Sequence, residues 1–305
     1  MRCPKGLAGS SPAPGTLLIT DVPGIRVGHW TDSSARTGCT VVLPPAGTVA
    51  SGEIRGGAPA ERDFALLAPE RTVQHVDAIV LSGGSVYGLS TVDGVLRWCG
   101  DHEIGLETPA GRVPVVVGLA LFDLPVAERR PTPDDGYAAC DAAATGAPLD
   151  TGRVGAATGA TVGTWRGFDR RRPGGLGSAS EQHGDVIVGA LVAVNAFGEP
   201  IGTGDERPPF EPATEVWPQV DATGTERGNT TLAVVATNAR LDKTGCLRVA
   251  QGAHDGYARS MEPAHTTLDG DAAVALATGE VDAPVDVVRA LAARAVEAAI
   301  RQAFD

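Results

Sequence analysis

The feature that most constrains the fold is a set of short apolar runs that are continuous rather than alternating. The clearest are residues 186–195 and 232–237. A strand with one solvent-exposed face alternates apolar and polar residues, whereas a strand covered on both faces is apolar throughout. The other predicted strands are residues 17–19, 40–42, 78–81 and 113–117. The sheets formed by such strands must be covered on both faces.

Helical patterns separate these runs. Residues 284–303 place Pro284 in the first turn and repeat apolar residues at helical spacing. The other predicted helices are residues 60–67, 86–98, 135–144 and 242–261. We therefore expect a layered α/β fold in which helices cover sheets, as a single domain over residues 16–305. Residues 1–15 are rich in Pro, Gly and Ser and are expected to form a flexible tail.

Charge and composition argue against several classes of function. The formal net charge is −12, which disfavours binding to nucleic acid or to an anionic membrane surface. No apolar run reaches the roughly 18 residues of a membrane span, and the N-terminus lacks the apolar stretch of a signal peptide. The five Cys and six His show no metal-ligand spacing. We expect a cytoplasmic protein without a metal or an organic cofactor.

An irregular segment leads directly into one of the apolar runs. Residues 205–228 contain four Pro and many polar residues, which predicts a long loop, and Asn229, Thr230 and Thr231 follow it. A Thr hydroxyl in a turn can attack the preceding carbonyl, and water then splits the resulting ester. The product begins with Thr, whose α-amine has a reference pKa of about 8 and can act as a base for the hydroxyl. Thr230 fits this role, Thr231 offers the same chemistry one residue later, and an ordinary loop end is the alternative.

Two further patterns support such a site. Asp269 and Asp271 flank Gly270, and in an extended segment both carboxylates would face one side, where they could hold an ammonium group or orient a hydroxyl. A plain Asp-Gly turn is the alternative. Asn195 ends an apolar run, and its amide could donate to an oxyanion or simply form a hairpin turn. His265 lies beside the acidic pair and either orients it or is structural.

Several motifs in the same order resemble the P1 peptidase family, the group of D-aminopeptidase/esterase, β-peptidyl aminopeptidase and nylon-oligomer hydrolase enzymes. The motifs are residues 19–29, 81–89, 174–180, 228–238 and 265–271. The resemblance implies a four-layer αββα sandwich similar to N-terminal-nucleophile hydrolases but with different connectivity. It also implies a cut into residues 1–229 (α) and 230–305 (β), which stay together and form a tetramer of such pairs.

The resemblance also assigns roles to individual residues. It implies that Thr230 is the nucleophile and that Asn229 precedes the cut. It further implies that Asn195 stabilises the oxyanion, and that Asp269 and Asp271 support the nucleophile.

The chain departs from the family pattern at two positions. Arg172 and Pro173 stand where some relatives have Lys, and an Arg does not act as a proton acceptor. Phe122 stands where some relatives have Tyr, and Tyr137 or Tyr87 could substitute for the missing hydroxyl.

We therefore expect a self-processing amide hydrolase that acts on a small amide or short peptide, preferably one with a free amine because the site is acidic. One alternative is an acyltransferase of the ornithine acetyltransferase type, in which an amine replaces water as the acceptor. The other is an uncut, non-catalytic binding protein.

Overall fold

A computed structural model describes residues 17–201 and 228–304. The predicted tail and nearly all of the predicted loop 205–228 lie outside these residues. The described strands are β1 (Arg26–Asp32), β2 (Thr37–Leu43), β3 (Val49–Ile54), β4 (Glu61–Arg62), β5 (Ala78–Ser82), β6 (Leu106–Thr108), β7 (Gly111–Val113), β8 (Val116–Ala120), β9 (Thr161–Val162), β10 (Arg172–Pro173), β11 (Gly175–His183), β12 (Val186–Asn195), β13 (Glu199–Pro200), β14 (Thr230–Ala239), β15 (Met261–Glu262) and β16 (Ala272–Val281). The α-helices are α1 (Ser85–Gly88), α2 (Thr91–Asp101), α3 (Pro133–Ala144), α4 (Lys243–Ser260) and α5 (Val285–Gln302).

Two five-stranded sheets carry the fold. Their strand orders are β1-β2-β5-β8-β4 and β11-β12-β14-β16-β3. The β5–β8 and β14–β16 pairs are parallel, and the other pairs within these sheets are antiparallel. Each parallel pair is joined through helices, α1 and α2 in the first sheet and α4 in the second. A parallel pair requires such a crossover connection.

The layers follow from which apolar side chains share a core. Leu81 and Leu119 of the first sheet share a buried cluster with Leu191 and Val234 of the second, so the two sheets pack face to face. The outer face of the first sheet is covered by α2 and α3, and that of the second by α4 and α5. The predicted αββα sandwich is confirmed.

Double-sided burial explains the continuous apolar runs. In β14, Val234 faces the other sheet, whereas its neighbour Val235 lies in the cluster formed with α4 and α5. All ten residues of β14 are buried. Burying a Val side chain stabilises the fold by about 1.5–3 kcal/mol, whereas a polar side chain without a hydrogen-bond partner would be costly on either face. No helix among residues 17–201 and 228–304 is long and apolar enough to cross a membrane.

Four predicted elements were wrong or misplaced. In place of a strand at 17–19, residues Ile19–Asp21 form a 3-10 helix, because the Asp21 carboxylate accepts the Leu18 N–H at 2.6 Å. In place of a helix at 60–67 there are β4 and a 3-10 helix, Phe64–Leu67. The predicted helix 86–98 is split between α1 and α2. The predicted strand 113–117 is divided between β7 and β8 by Pro114, which has no N–H to donate.

Candidate active site

The topology gathers the predicted residues at one end of the second sheet. Thr230 is the first residue of β14, and Asn195, the last residue of β12, lies directly opposite it in the antiparallel register. Asp269 and Asp271 lie in the segment that enters β16, which runs parallel to β14. All four residues are at most 3% exposed. Neighbouring parallel strands begin at the same sheet edge, so widely separated segments meet here.

The peptide unit before Thr230 is held from both sides. The Asn229 N–H donates to Leu268 O at 3.2 Å, and its carbonyl oxygen accepts the Gly270 N–H at 2.8 Å. The Thr230 hydroxyl donates to the same Asn229 carbonyl oxygen at 2.5 Å. The side chain of Asn229 is also fixed, because its Oδ1 accepts the Thr164 hydroxyl at 3.1 Å. The hydroxyl therefore lies against the carbonyl group that self-cleavage would attack.

Asp271 anchors the start of β14. Its carboxylate accepts the Thr231 N–H at 2.7 Å and contacts His265 Nδ1 at 2.8 Å. The His265 ring packs edge-on against the rings of His254 and Tyr257, with centroids 4.7 and 5.2 Å away. His265 therefore contacts the acidic pair through Asp271, and buried aromatic rings fix its orientation.

Asp269 is held by different donors. One oxygen accepts the Phe197 N–H at 3.0 Å, and the other accepts the Thr266 N–H and hydroxyl at 3.0 and 2.6 Å. Burial, and secondly the negative charge of Asp271, raise the pKa of Asp269 to about 7. Burial and the neighbouring charge thus favour the protonated form of Asp269.

Asn195 is fixed through both ends of its amide. Its Nδ2 donates to Phe122 O at 2.9 Å, and its Oδ1 accepts the Thr161 N–H at 2.8 Å. An amide NH2 carries two hydrogens, and Phe122 O accepts only one of them. Asn195 therefore holds the Phe122 segment against the start of β14, and within the described ranges only one of its two amide hydrogens is bonded.

The other predicted residues are spread more widely. Arg172 is exposed and pairs with Glu199 at 3.4 Å. The Tyr137 hydroxyl donates to Asp101 in the outer helical layer, and Tyr87 is 62% exposed beside Arg130. The Tyr137 hydroxyl is thus bound in the outer helical layer, away from the site.

The residues that sequence reasoning missed are Thr164, Leu268, Tyr257 and the Gly270 N–H. The Tyr257 hydroxyl lies between Thr231 O and Ala272 O, at 3.2 and 3.0 Å, and its single hydrogen is shared by these two acceptors next to the candidate nucleophile. The position of Tyr257 inside α4, with its regular helical pattern, gave no sign of this contact. Thr164 acts through a single contact that leaves no motif. Leu268 and Gly270 stand inside the 265–271 motif but take part only through backbone groups, which their side chains do not reveal.

Two cavities are described among residues 17–201 and 228–304. A void of about 10 Å³ lies beside Asn229 and is lined in part by Phe122 and Thr164. A cavity of about 520 Å³ lies elsewhere, between residues 72–75 and the β6–β7 hairpin, and includes none of the candidate residues. Within the described ranges, no group of three or more His, Cys, Asp or Glu is arranged to hold a metal ion.

The chain is similar in sequence to proteins named as an aminopeptidase and an endohydrolase. An aminopeptidase of Mycobacterium tuberculosis, itself uncharacterized, is 42% identical over 293 residues, which cover 87% of this chain and 83% of the relative. A 6-aminohexanoate-oligomer endohydrolase of Agromyces sp. is 30% identical over 286 residues, covering 88% of this chain and 77% of the relative.

Solved structures agree on the fold. A β-aminopeptidase from Burkholderia sp. superposes with a TM-score of 0.70 at 26% identity, covering 97% of this chain and 88% of its own. An L-aminopeptidase D-Ala-esterase/amidase from Ochrobactrum anthropi, described as a variant of the Ntn-hydrolase fold, superposes with a TM-score of 0.68 at 20% identity, covering 98% and 88%. The sequence profile of peptidase family S58 matches residues 18–305. The chain is therefore a member of peptidase family S58.

Proposed function

We propose that this S58 peptidase cuts its own Asn229–Thr230 bond and then uses Thr230 as an N-terminal nucleophile to hydrolyse small amides or short peptides. The observation that carries the proposal is the position of the Asn229 carbonyl, which accepts hydrogen bonds from both the Gly270 N–H and the Thr230 hydroxyl. A carbonyl polarised by a fixed donor and touched by a hydroxyl is arranged for intramolecular attack.

Self-cleavage proceeds through an ester. Thr230 Oγ1 bonds to the Asn229 carbonyl carbon and gives up its proton, the C–N bond breaks, and that proton passes to the nitrogen, which becomes the α-amine of Thr230. The Gly270 N–H stabilises the negative charge that develops on the carbonyl oxygen. Water then attacks the ester, which releases Asn229 as a carboxylate and regenerates the Thr230 hydroxyl.

Turnover repeats this chemistry on a substrate. The Thr230 α-amine accepts the hydroxyl proton while Oγ1 bonds to the substrate carbonyl carbon, and the departing amine takes that proton. Water then releases the acyl group and returns a proton to Oγ1. The free hydrogen of Asn195 and the Gly270 N–H are the donors for the substrate oxyanion. Asp271 keeps Thr231, and with it the nucleophile, in position through the 2.7 Å bond to the Thr231 N–H.

The acidic site favours substrates that carry an amine. Asp269 pairs with Asn229, Asp271 accepts the Thr231 N–H, and the whole chain carries a net charge of −12. The Mycobacterium relative is called an aminopeptidase and the Agromyces relative hydrolyses 6-aminohexanoate oligomers, which fits amide substrates of this kind. Assembly as a tetramer of α/β pairs in the cytoplasm is part of the proposal.

Intact mass measured under denaturing conditions tests the proposal. We expect a fragment that begins at Thr230 and contains 76 residues (305 − 229). A fragment beginning at Thr231 would move the nucleophile by one residue. A chain that stays whole after long incubation would refute self-activation and favour the binding-protein alternative. Addition of an amine acceptor to the cut enzyme distinguishes hydrolysis from acyl transfer, because a transferase would form a new amide.

A further inference from the structure

We infer that the place filled by Asn229 in the uncut chain is the acyl subsite of the cut enzyme, and that it selects an asparagine-like acyl group. The inference rests on the proposed function. Self-cleavage and turnover pass through the same kind of ester on Thr230 Oγ1. The acyl carbon of the substrate must therefore occupy the position that the Asn229 carbonyl carbon occupies first.

The uncut chain holds Asn229 as an enzyme holds a substrate residue. Its N–H, its carbonyl oxygen and its side chain each have a partner, respectively Leu268 O at 3.2 Å, the Gly270 N–H at 2.8 Å and the Thr164 hydroxyl at 3.1 Å. Asn229 is 4% exposed, so these contacts are shielded from water. Once the cut frees Asn229 from Thr230, a substrate residue can take over the same three partners.

Thr164 is the residue that would distinguish acyl side chains. It is 8% exposed, and its hydroxyl lies at the far end of the Asn229 side chain. A leucyl group has nearly the shape of an asparaginyl group but no hydrogen-bonding atoms, so it would leave the buried hydroxyl without its partner. A glutaminyl group would carry its amide one methylene farther from the ester, so the amide would not meet the Thr164 hydroxyl where the Asn229 amide does.

Phe122 limits what can precede the acyl residue. A β-carbon added at Gly228 would lie 2.1 Å from Phe122 Cγ, a distance at which atoms overlap. The phenyl ring therefore leaves space for an acyl residue whose α-amine is free or is linked to a glycine. It leaves no space for a larger residue at that position. A free amine would donate to Leu268 O, as the Asn229 N–H does in the uncut chain.

A panel of chromogenic anilides tests the subsite in the cut wild-type enzyme. Asparaginyl anilide should be hydrolysed with a kcat/KM about tenfold above that of the leucyl and glutaminyl compounds, the size expected for one buried hydrogen bond. Gly-Asn-anilide should be cleaved at the anilide bond and Ala-Asn-anilide should not. If the cut enzyme hydrolyses the leucyl compound as well as the asparaginyl compound, or hydrolyses neither, the inference is overturned while self-cleavage still stands.

Variants then assign the effect to residues. Thr164→Val should reduce the Asn/Leu ratio of kcat/KM about tenfold, whereas Thr164→Ser should retain it because the hydroxyl remains. Thr48→Val is a matched control, since this buried threonine, just before β3, also donates its hydroxyl to a single acceptor, Pro45 O. It is expected to leave the Asn/Leu ratio unchanged. Phe122→Ala should allow cleavage of Ala-Asn-anilide.

Failure of the proposed function gives a different result. If the wild-type chain remains uncut by intact mass, both the function and the inference fall. If Thr164→Val does not cut itself, the wild-type panel and Phe122→Ala still decide. An Asn/Leu ratio that is unchanged in cut Thr164→Val, or continued rejection of Ala-Asn-anilide by cut Phe122→Ala, would contradict the assignment.

Discussion

Gly270→Ala tests the geometry of self-cleavage most directly. A β-carbon at this position would lie 2.7 Å from Ala58 O and 2.9 Å from Thr230 Oγ1, whereas ordinary contacts begin near 3.4 Å. The residue must therefore move by about 0.7 Å to relieve the contact with Ala58 O. The Gly270 N–H donates to Asn229 O at 2.8 Å, and a shift of this size directed along that bond would lengthen it to about 3.5 Å, the limit of hydrogen bonding.

The expected consequence is a slower cut in a chain that still folds. Removal of one aligned oxyanion donor slows acyl transfer by about 100- to 1,000-fold, and we expect self-cleavage to slow by about 100-fold. The assay is a time course of intact mass on freshly purified protein, in which the 305-residue chain decreases as the 76-residue fragment grows. Thermal unfolding of the same samples establishes that the variant is folded.

Gly100→Ala is the matched control. Gly100 lies in α2, and nothing lies within 4 Å of a β-carbon added there. This variant should cut itself at the wild-type rate. If folded Gly270→Ala also cuts at the wild-type rate, the Gly270 N–H does not stabilise the oxyanion, and the proposed reaction geometry is wrong.

Three further predictions follow from other contacts. Thr230→Ala should remain whole on a denaturing gel, whereas Thr230→Ser should still be cut because it keeps the hydroxyl; a cut alanine variant would exclude Thr230. The pKa of Asp269 is raised from 3.8 to about 7, so the folded state binds its proton more tightly than the unfolded state does. The free energy of unfolding that this proton contributes is therefore complete below about pH 4 and is lost as the pH rises through about 7. In the uncut Thr230→Ala background, urea unfolding should show Asp269→Asn gaining stability relative to its parent between pH 5 and pH 8, and a constant difference would contradict this. Lys243 Nζ donates to Leu66 O and Val73 O at 2.7 and 2.9 Å. Lys243→Met should therefore cost about 1–3 kcal/mol of stability and leave the extent of self-cleavage unchanged. Loss of cleavage with an unchanged melting temperature would instead indicate a catalytic lysine.

The fold was predictable where burial on both faces dictates composition. Residues 186–195 match β12, and the helices predicted at 242–261 and 284–303 match α4 and α5 within two residues. Of the strands that were not predicted, β11 and β16 contain Gly, Ala, Ser or Thr at most positions where a buried strand would carry large apolar residues. Small residues suit these strands because helices pack closely against them; a β-carbon at Gly177 would lie 1.8 Å from Ala299 O in α5. Such a requirement comes from the neighbouring layer and leaves no periodic pattern in the strand.

The candidate site was predictable only in part, for a similar reason. Thr230, Asp269 and Asp271 stand in short motifs whose chemistry can be read locally. Tyr257 and Thr164 reach the site because α4 and a 3-10 helix, Thr164–Arg166, happen to cross it. Their roles depend on the packing of distant segments, which spacing along the chain does not encode.

The position of the proposed cut explains how a peptide bond could be lost without loss of the fold. Residues 230–304 supply β14 and β16 to the second sheet and α4 and α5 to the outer layer, whereas β11, β12 and β3 of that sheet come from before the cut. Val234 and Leu276 of the later segment share the buried core with Leu81 and Leu191 of the earlier one. Each such side chain would lose about 1.5–3 kcal/mol on exposure to water, and dozens of buried apolar residues lie in these clusters. The two segments form one core rather than two domains, so the cut would create an amine at Thr230 while β12 and β16 continue to hold β14 on either side.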